Sequence, residues 1–504
     1  MDHLLDRLTN WKPFRALVVG DFMLDQLVYG HAERLSADAP VPILHVRKTE
    51  DRPGGAANVC LDLLALRGRV EAFGVTGADE HAARLRGALS SQGVGVAGLI
   101  ADPSRPTTVK QNLIGLAQAR HPQKMFRVDF ESREPIGAEV TEKMLRAFRE
   151  ALPGADVVCI EDYAKGVCGQ ELCQGVIEAS RRAGVPVFVD PARLESYARY
   201  RGATSITPNR TEAQVASGLD ACEDGSPEHN ARLARKLMDV IAGETVVLTL
   251  DRHGALLLER EGEPVAVPTV ARQVYDVTGA GDMFLAGLAA ARANGCGWED
   301  SVRFANAAAG LEVEVFGVQP IPFERVHHSI LEQNTRSMGK VRSIEQIKVE
   351  IAARRASGQK IVFTNGCFDV IHAGHVSLLE QSAALGDFLV VGMNDDASVK
   401  RLKGPTRPVN GQDDRARVLG SIAGVGAVVM FGREGDDTPL ELIRAVRPDT
   451  LVKGADYTKD RVVGASDVEA FGGRVVLVDL VQGRSTTGTI QKLAASAPAG
   501  KPGA

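Results

Sequence analysis

Short apolar runs recur along the chain, each closed by Gly, Asp, Asn or Pro, and they alternate with longer stretches of helical periodicity. The runs at 16–19, 70–75, 157–160, 185–189, 205–207 and 245–250 are too short and too continuously apolar for amphipathic helices. They suit strands buried on both faces, and their alternation with helices predicts a mostly parallel sheet covered on both sides. Two regions break this rhythm. Residues 39–46 carry prolines that suit an edge strand, and 107–116 with 125–130 read as a β pair, so together they predict a small β lid. The pattern stops near Val318-Gln-Pro-Ile-Pro322, and a second α/β pattern begins at Lys360. The expected organisation is a first domain over 1–325, a polar, partly helical connection over 326–357, a second domain over 358–493, and a tail of disordered composition over 494–504.

A length of 504 residues agrees with more than one core. With 44% hydrophobic and 24% charged residues and a net charge of -5, there is no basic surplus to favour nucleic acid as a partner. No apolar run is long enough to span a bilayer, and residues 1–15 contain acids and lack the apolar centre of a signal peptide, so no membrane partner is expected. The seven cysteines are scattered and odd in number, without paired metal-ligand spacing, which fits reduced thiols in a cytoplasm. A metal site at Cys168 and Cys173 is disfavoured for the same reason.

The chemistry concentrates in two stretches. In Asp276-Val-Thr-Gly-Ala-Gly-Asp282, the small residues Gly279, Ala280 and Gly281 precede an apolar helix at 283–293. A helix start of this kind lets backbone N–H groups approach an anion, and Asp282 in the first turn is placed to deprotonate an attacking hydroxyl. An ordinary turn with an acidic cap is the competing reading. Polar groups at other strand ends (Asp21, Glu161 to Lys165, Asp190, Asn209 to Glu212) suggest a shared cleft. In the second pattern, Thr364-Asn-Gly-Cys-Phe-Asp-Val-Ile-His-Ala-Gly-His375 reads as a strand, a turn and a helix start, with His372 and His375 near one N-terminus. Zinc there would lack a third ligand nearby. Lys400, Lys403, Lys453 and the hydroxyls of Ser485, Thr486 and Thr487 add further anion-friendly groups.

Gly54-Gly-Ala-Ala-Asn58 taken with the 276–282 motif resembles the ribokinase (PfkB) family of sugar kinases, over about 1–325. The resemblance implies a ribokinase-like parallel-sheet domain with a small β lid. It implies Asp282 as the base and the amides of Gly279, Ala280, Gly281 and Asp282 as the cradle of the transferring phosphoryl group. Asn209-Arg210-Thr211-Glu212 matches the family's N-x-x-E motif. The ion is then Mg²⁺ with ATP, held through Asn209 and Glu212 and not by a separate protein metal cluster. Asp21, Gly54, Gly55 and Asn58 would hold sugar hydroxyls, and Lys165, Lys110 and Arg127 are candidates for a distal phosphate. One departure is Glu312 with Glu314, where a more basic or neutral strand is expected.

The second stretch resembles the H-x-G-H nucleotidyltransferase superfamily, implying a Rossmann-like domain over about 358–493. There His372 and His375 would hold a triphosphate and support the transition state. Thr364, Asn365, Gly366, Phe368, Lys400, Lys403, Lys453 and Ser485–Thr487 would complete nucleotide binding. The pair of domains resembles the bifunctional heptose 7-phosphate kinase/heptose 1-phosphate adenylyltransferase family of lipopolysaccharide core synthesis. That implies ATP and heptose phosphates as substrates, ADP-heptose as product, a separate phosphatase acting between the steps, and a homodimer paired through exposed lid edges. Alternatives are the same fusion acting on another sugar phosphate or with CTP, and a domain that serves only as a binding module.

Overall fold

The computed structural model describes residues 2–479 apart from 117–121, 220–224, 270–273, 316, 357, 434 and 456–457. Its contacts divide the chain into two compact units: Asn10–Val326, and Met1–Thr9 together with His327–Ala504.

The Asn10–Val326 unit is built on a nine-stranded sheet. Its order is Val265–Val267, Ala255–Glu259, Thr245–Thr249, Ser205–Ile206, Val187–Asp190, Val157–Glu161, Phe14–Gly20, Gly68–Thr76 and Gly95–Ala101. All pairings are parallel except those made by the first two strands of that order. The central strands are apolar throughout because helices cover both faces, and Val157–Glu161 is buried at every position. The parallel arrangement brings the ends of Phe14–Gly20, Val157–Glu161 and Val187–Asp190 to one edge, where ligands bind in open α/β sheets.

A separate four-stranded sheet forms the lid, in the order Pro42–Gly55, Phe22–Leu35, Thr108–Gly115 and Gln123–Phe130. The β pair expected near 107–130 is present, and the strand expected at 39–46 runs on to Gly55. The long strand Phe22–Leu35 escaped the sequence reading because only Asp21 separates it from the strand before it. Glu312 also departs from expectation. It ends the helix Trp298–Glu312, fully buried, whereas alternation in Glu-Val-Glu-Val suggested a strand.

The second unit carries a six-stranded, all-parallel sheet in the order Val341–Arg342, Val425–Phe431, Phe388–Asn394, Ile361–Gly366, Thr450–Gly454 and Arg474–Val478. The stretch 326–357, expected to be a connection, holds the helix Ile344–Ala356, whose Ile347 and Ile351 lie in this unit's core, and the edge strand Val341–Arg342. A buried Arg342–Glu350 pair at 2.9 Å, extended by Arg354 at 2.8 Å, ties that edge strand to the helix.

Candidate functional site

In the first unit Asp282 sits in the first turn of the helix Ala280–Ala293. Gly279 caps that helix at φ 91°, and a Cβ there would lie 2.7 Å from Glu312 Oε1, so a side chain is excluded by conformation and by space. Both oxygens of Asp282 accept a hydrogen bond. Asn58 Nδ2, from the helix Ala56–Ala65, donates to Oδ2 at 2.9 Å, and the Tyr163 hydroxyl donates to Oδ1 at 2.9 Å. Burial pushes the Asp282 carboxyl up to about 6, and the Asn58 and Tyr163 donors and the Lys110 charge pull against it. The group is thus a carboxylate at neutral pH with an affinity for protons that suits a base.

Asn58 Nδ2 also reaches Asp62 Oδ2 at 3.3 Å. Carboxyl oxygens of Glu161, Asp190 and Asp282 lie within 4.8 Å of one another, from two strand ends and a helix start more than a hundred residues apart in part. Burial raises Glu161 and Asp190 well above the ordinary range. Asp190 is raised further by Glu212 and Asp282, which places it electrically between the base and the Asn209–Glu212 motif.

Several sequence-selected residues turn out to be engaged with the protein itself. Asn209 and Glu212 form a reciprocal capping box: Glu212 N–H donates to Asn209 Oδ1 at 3.0 Å, and Asn209 N–H donates to Glu212 Oε2 at 2.8 Å. Arg210 and Thr211 begin the same helix, with neither buried. Asp21 accepts three backbone N–H groups, from Tyr163 (2.8 Å), Lys165 (3.0 Å) and Val167 (3.4 Å). Its carboxylate therefore shapes the 162–167 loop, in which Ala164 adopts φ 54°. The Lys165 ammonium is paired with Glu131 at 2.5 Å, both nearly buried.

Asp25, which follows the first strand end in sequence and has no specific role assigned from it, faces the site and acts on Asp282. A Cβ on Gly54 would meet its Oδ2 at 2.6 Å, so the glycine makes room for this carboxylate. Lys110, its cross-strand partner, lies near it together with Arg127 and Lys124. Lys110 also sits 4.6 Å from the centre of the Tyr163 ring. Gly55, at φ 57°, packs where a Cβ would strike the Asp21 carbonyl, and so starts the helix that delivers Asn58. The only sequence signals for Tyr163 and Asp25 were their places just beyond strand ends.

The second unit's site lies beyond the strand Ile361–Gly366. His372 caps the helix Ala373–Ala383, its Nδ1 accepting the Gly374 N–H at 3.1 Å. A neutral His372 must then carry its proton on Nε2. The His372 and His375 rings stack at 4.0 Å, and His375 rests on Phe368 at 5.3 Å. Burial, followed by His372, lowers His375 to about 4, so that ring is neutral at physiological pH. Among the described residues, the groups of three metal-ligating side chains lie in the first unit and not here. Thr364 does not face the site, because its hydroxyl donates to the Val452 carbonyl at 3.0 Å inside the sheet. Lys453 donates to the Asn365 carbonyl at 3.0 Å, and Gly366 packs beside the Phe368 ring. Lys400 and Lys403 end the helix Asp396–Lys403, exposed, with Lys403 acting on Cys367. Ser485, Thr486 and Thr487 lie outside the described residues.

Comparison with known proteins agrees with this division. Residues 15–324 match the pfkB family of carbohydrate kinases, and residues 363–482 match a cytidylyltransferase-like family. The bifunctional protein HldE of Geobacter sulfurreducens is 43% identical over 478 residues, 95% of each chain. The bifunctional protein HldE of Gluconacetobacter diazotrophicus is 43% identical over 493 residues, 97% of this chain and 99% of the other. Among solved structures, phosphofructokinase-2 from Escherichia coli in complex with potassium shares the fold of the first unit. Its TM-score is 0.53 at 18% identity, over 64% of this chain and 99% of that one.

Proposed function

The chain belongs to the family of the bifunctional HldE proteins and, over 15–324, to the pfkB carbohydrate kinases, and from this we propose that it makes ADP-heptose in two separated steps. The first unit is an ATP-dependent kinase that phosphorylates the anomeric hydroxyl of D-glycero-β-D-manno-heptose 7-phosphate. The second is an adenylyltransferase that joins heptose 1-phosphate to AMP from ATP and releases pyrophosphate. A phosphatase that removes the 7-phosphate must act between them.

In the first step the Asp282 carboxylate takes the proton of the anomeric hydroxyl as the sugar oxygen attacks the γ-phosphorus, the bond to the bridging β-phosphate oxygen breaks and ADP leaves. Tyr163 and Asn58 hold the carboxylate in place while it does so. The backbone N–H groups at the start of the helix Ala280–Ala293 face the charge that gathers on the transferring group. Asp25 and Asn58 offer polar atoms to the sugar. Mg²⁺ with ATP would suit this end of the sheet, where the Glu212 charge acts on Asp190 and both would supply hard oxygen ligands, and the ion would neutralise phosphate charge. In the second step a phosphate oxygen of heptose 1-phosphate attacks the α-phosphorus directly. His372, His375 and the lysines 400, 403 and 453 orient the triphosphate and take up its charge, so no protein nucleophile is needed.

The observation that carries this reading is the pair of donors fixing one buried carboxylate at a glycine-started helix, in a chain that also holds a complete H-x-G-H turn. The test is incubation with heptose 7-phosphate, ATP and a phosphatase, followed by mass analysis. ADP-heptose is the expected product, and a different nucleotide sugar or none would overturn the assignment.

A further inference from the structure

The strand-end turn that carries the two histidines is fastened to the lysine-bearing helix by two buried residues that no motif assigns to the chemistry. Arg415, 2% exposed, comes from the helix Gln412–Ser421 and spreads its guanidinium over three acceptors. Nη1 donates to the Cys367 carbonyl at 2.5 Å, Nε to the Asn410 carbonyl at 3.1 Å, and Nη2 to Asp396 Oδ1 at 2.7 Å. Cys367 belongs to the turn, Asn410 to the loop 404–411, and Asp396 opens the helix that ends in Lys400 and Lys403.

Asp369, 3% exposed, works from the other side. Its Oδ1 accepts the backbone N–H of Val409 at 2.6 Å and of Asn410 at 3.4 Å, and its Oδ2 accepts from Arg407 Nε. Its own carbonyl accepts from Asn410 Nδ2 at 3.1 Å. Between Cys367 and Asp369 stands Phe368, a buried aromatic residue at φ 45°, a conformation that an L side chain holds only when its surroundings impose it. Phe368 is also the ring on which His375 rests. The clamp therefore grips the strained residue on both sides and joins it to the loop 404–411 and to the helix that carries the lysines.

We infer that Arg415 and Asp369 are positioning residues of the adenylyl transfer, a buried clamp that makes the histidine turn and the lysine-bearing helix and loop close on one triphosphate as a single unit. This rests on the nucleotidyltransferase reading of the H-x-G-H turn. The physical reason for the residue types is geometric. A guanidinium offers a planar fork of donors that a lysine ammonium cannot match, and a carboxylate accepts two backbone N–H groups and a guanidinium together. Misplacing catalytic groups by an ångström costs rate more than ground-state binding, because contacts made only at the transition state are the ones lost.

The test uses the full-length protein with Arg415→Lys, Asp369→Asn, the double variant and His372→Ala, and assays both activities and thermal unfolding of each. Arg415→Lys and Asp369→Asn are expected to lower kcat for adenylyl transfer by about tenfold or more, with KM for ATP within about threefold of the parent. The double variant is expected to fall no further than the worse single one, as members of one unit behave. Kinase turnover stays at the parent value in all four and serves as the internal control. Loss of kcat that vanishes when the assay is cooled well below a lowered unfolding midpoint would show a purely structural role and overturn the inference, as would parent-like kcat in folded single variants. His372→Ala separates the two failures: if it leaves adenylyl transfer intact, the reading of the turn itself is wrong, and the clamp falls with it.

Discussion

The phenol of Tyr163 donates a 2.9 Å hydrogen bond to Oδ1 of Asp282, from a loop 119 residues earlier in the chain. This bond stabilises the ionised carboxylate against the burial that raises its proton affinity. Tyr163→Phe removes the donor and keeps the ring, including its contact with Lys110. A hydrogen bond to a charged group is worth about 1.5–3 kcal/mol, so the acid limb of the kinase kcat/KM profile is expected to move up by about one to two pH units. A pH–rate profile over both substrates checks this, and an unmoved limb would show that Tyr163 does not tune the base.

Burial of acids also sets the pH dependence of stability. Asp282 and Asp21 rise from 3.8 to about 6, and Glu312 from 4.5 to about 8. Each binds its proton more tightly folded than unfolded, so stability is lost as pH climbs from about 4 to about 8. Acids held low, such as Asp79, Asp102 and Glu131, act in the opposite sense and only in the more acidic range. The first unit is therefore expected to unfold at a higher temperature at pH 5.5 than at pH 8. Asp282→Asn should raise the midpoint most at pH 8, less at pH 5, and little below about pH 4, where the carboxyl is protonated folded and largely protonated unfolded, which calorimetry across that range can read.

Gly279→Ala tests the phosphoryl cradle. The substitution forces a Cβ to within 2.7 Å of Glu312 Oε1 at a φ of 91°. Strain of about 1–3 kcal/mol is expected, with heptose bisphosphate formation falling at least about tenfold and adenylyl transfer unchanged. Steady-state assays of the two reactions on one preparation measure the contrast.

His375 gives a spectroscopic prediction. Because burial and His372 hold it near 4, its imidazole should remain neutral through pH 5.5, against an ordinary midpoint of 6.5. Nitrogen-15 chemical shifts assigned with a His375→Gln variant would reveal this. A midpoint near 6.5 would mean that the ring is far more hydrated than the structure has it.

How much of this was legible in the sequence depended on how local each requirement is. The Gly279–Asp282 turn and the His372–His375 pair were readable because a glycine conformation, a helix start and a side chain fall within a few residues. Tyr163, Glu161 and Asp190 gather at Asp282 through the parallel order of the large sheet, and Asp25 through the lid sheet, neither of which a short spacing encodes. Hydrogen-bond engagement was equally hidden. Asp21 looked free for a sugar hydroxyl and is taken up by three backbone amides, and Thr364 looked free for phosphate and is bonded to Val452. Glu312 and Glu314 misled because two alternations with valine mimic a strand, whereas the helix Trp298–Glu312 runs on to bury the first of them.

On this reading one chain holds two independent chemistries, with Asp282 the base of one and His372 an anchor of the other. Asp282→Asn and His372→Ala, each assayed for both half-reactions with supplied heptose 7-phosphate and supplied heptose 1-phosphate, test it most directly. Asp282→Asn is expected to abolish bisphosphate formation and leave ADP-heptose formation at the parent rate, and His372→Ala to do the reverse. Normal kinase turnover in Asp282→Asn, or loss of both activities from either substitution in folded protein, would contradict it.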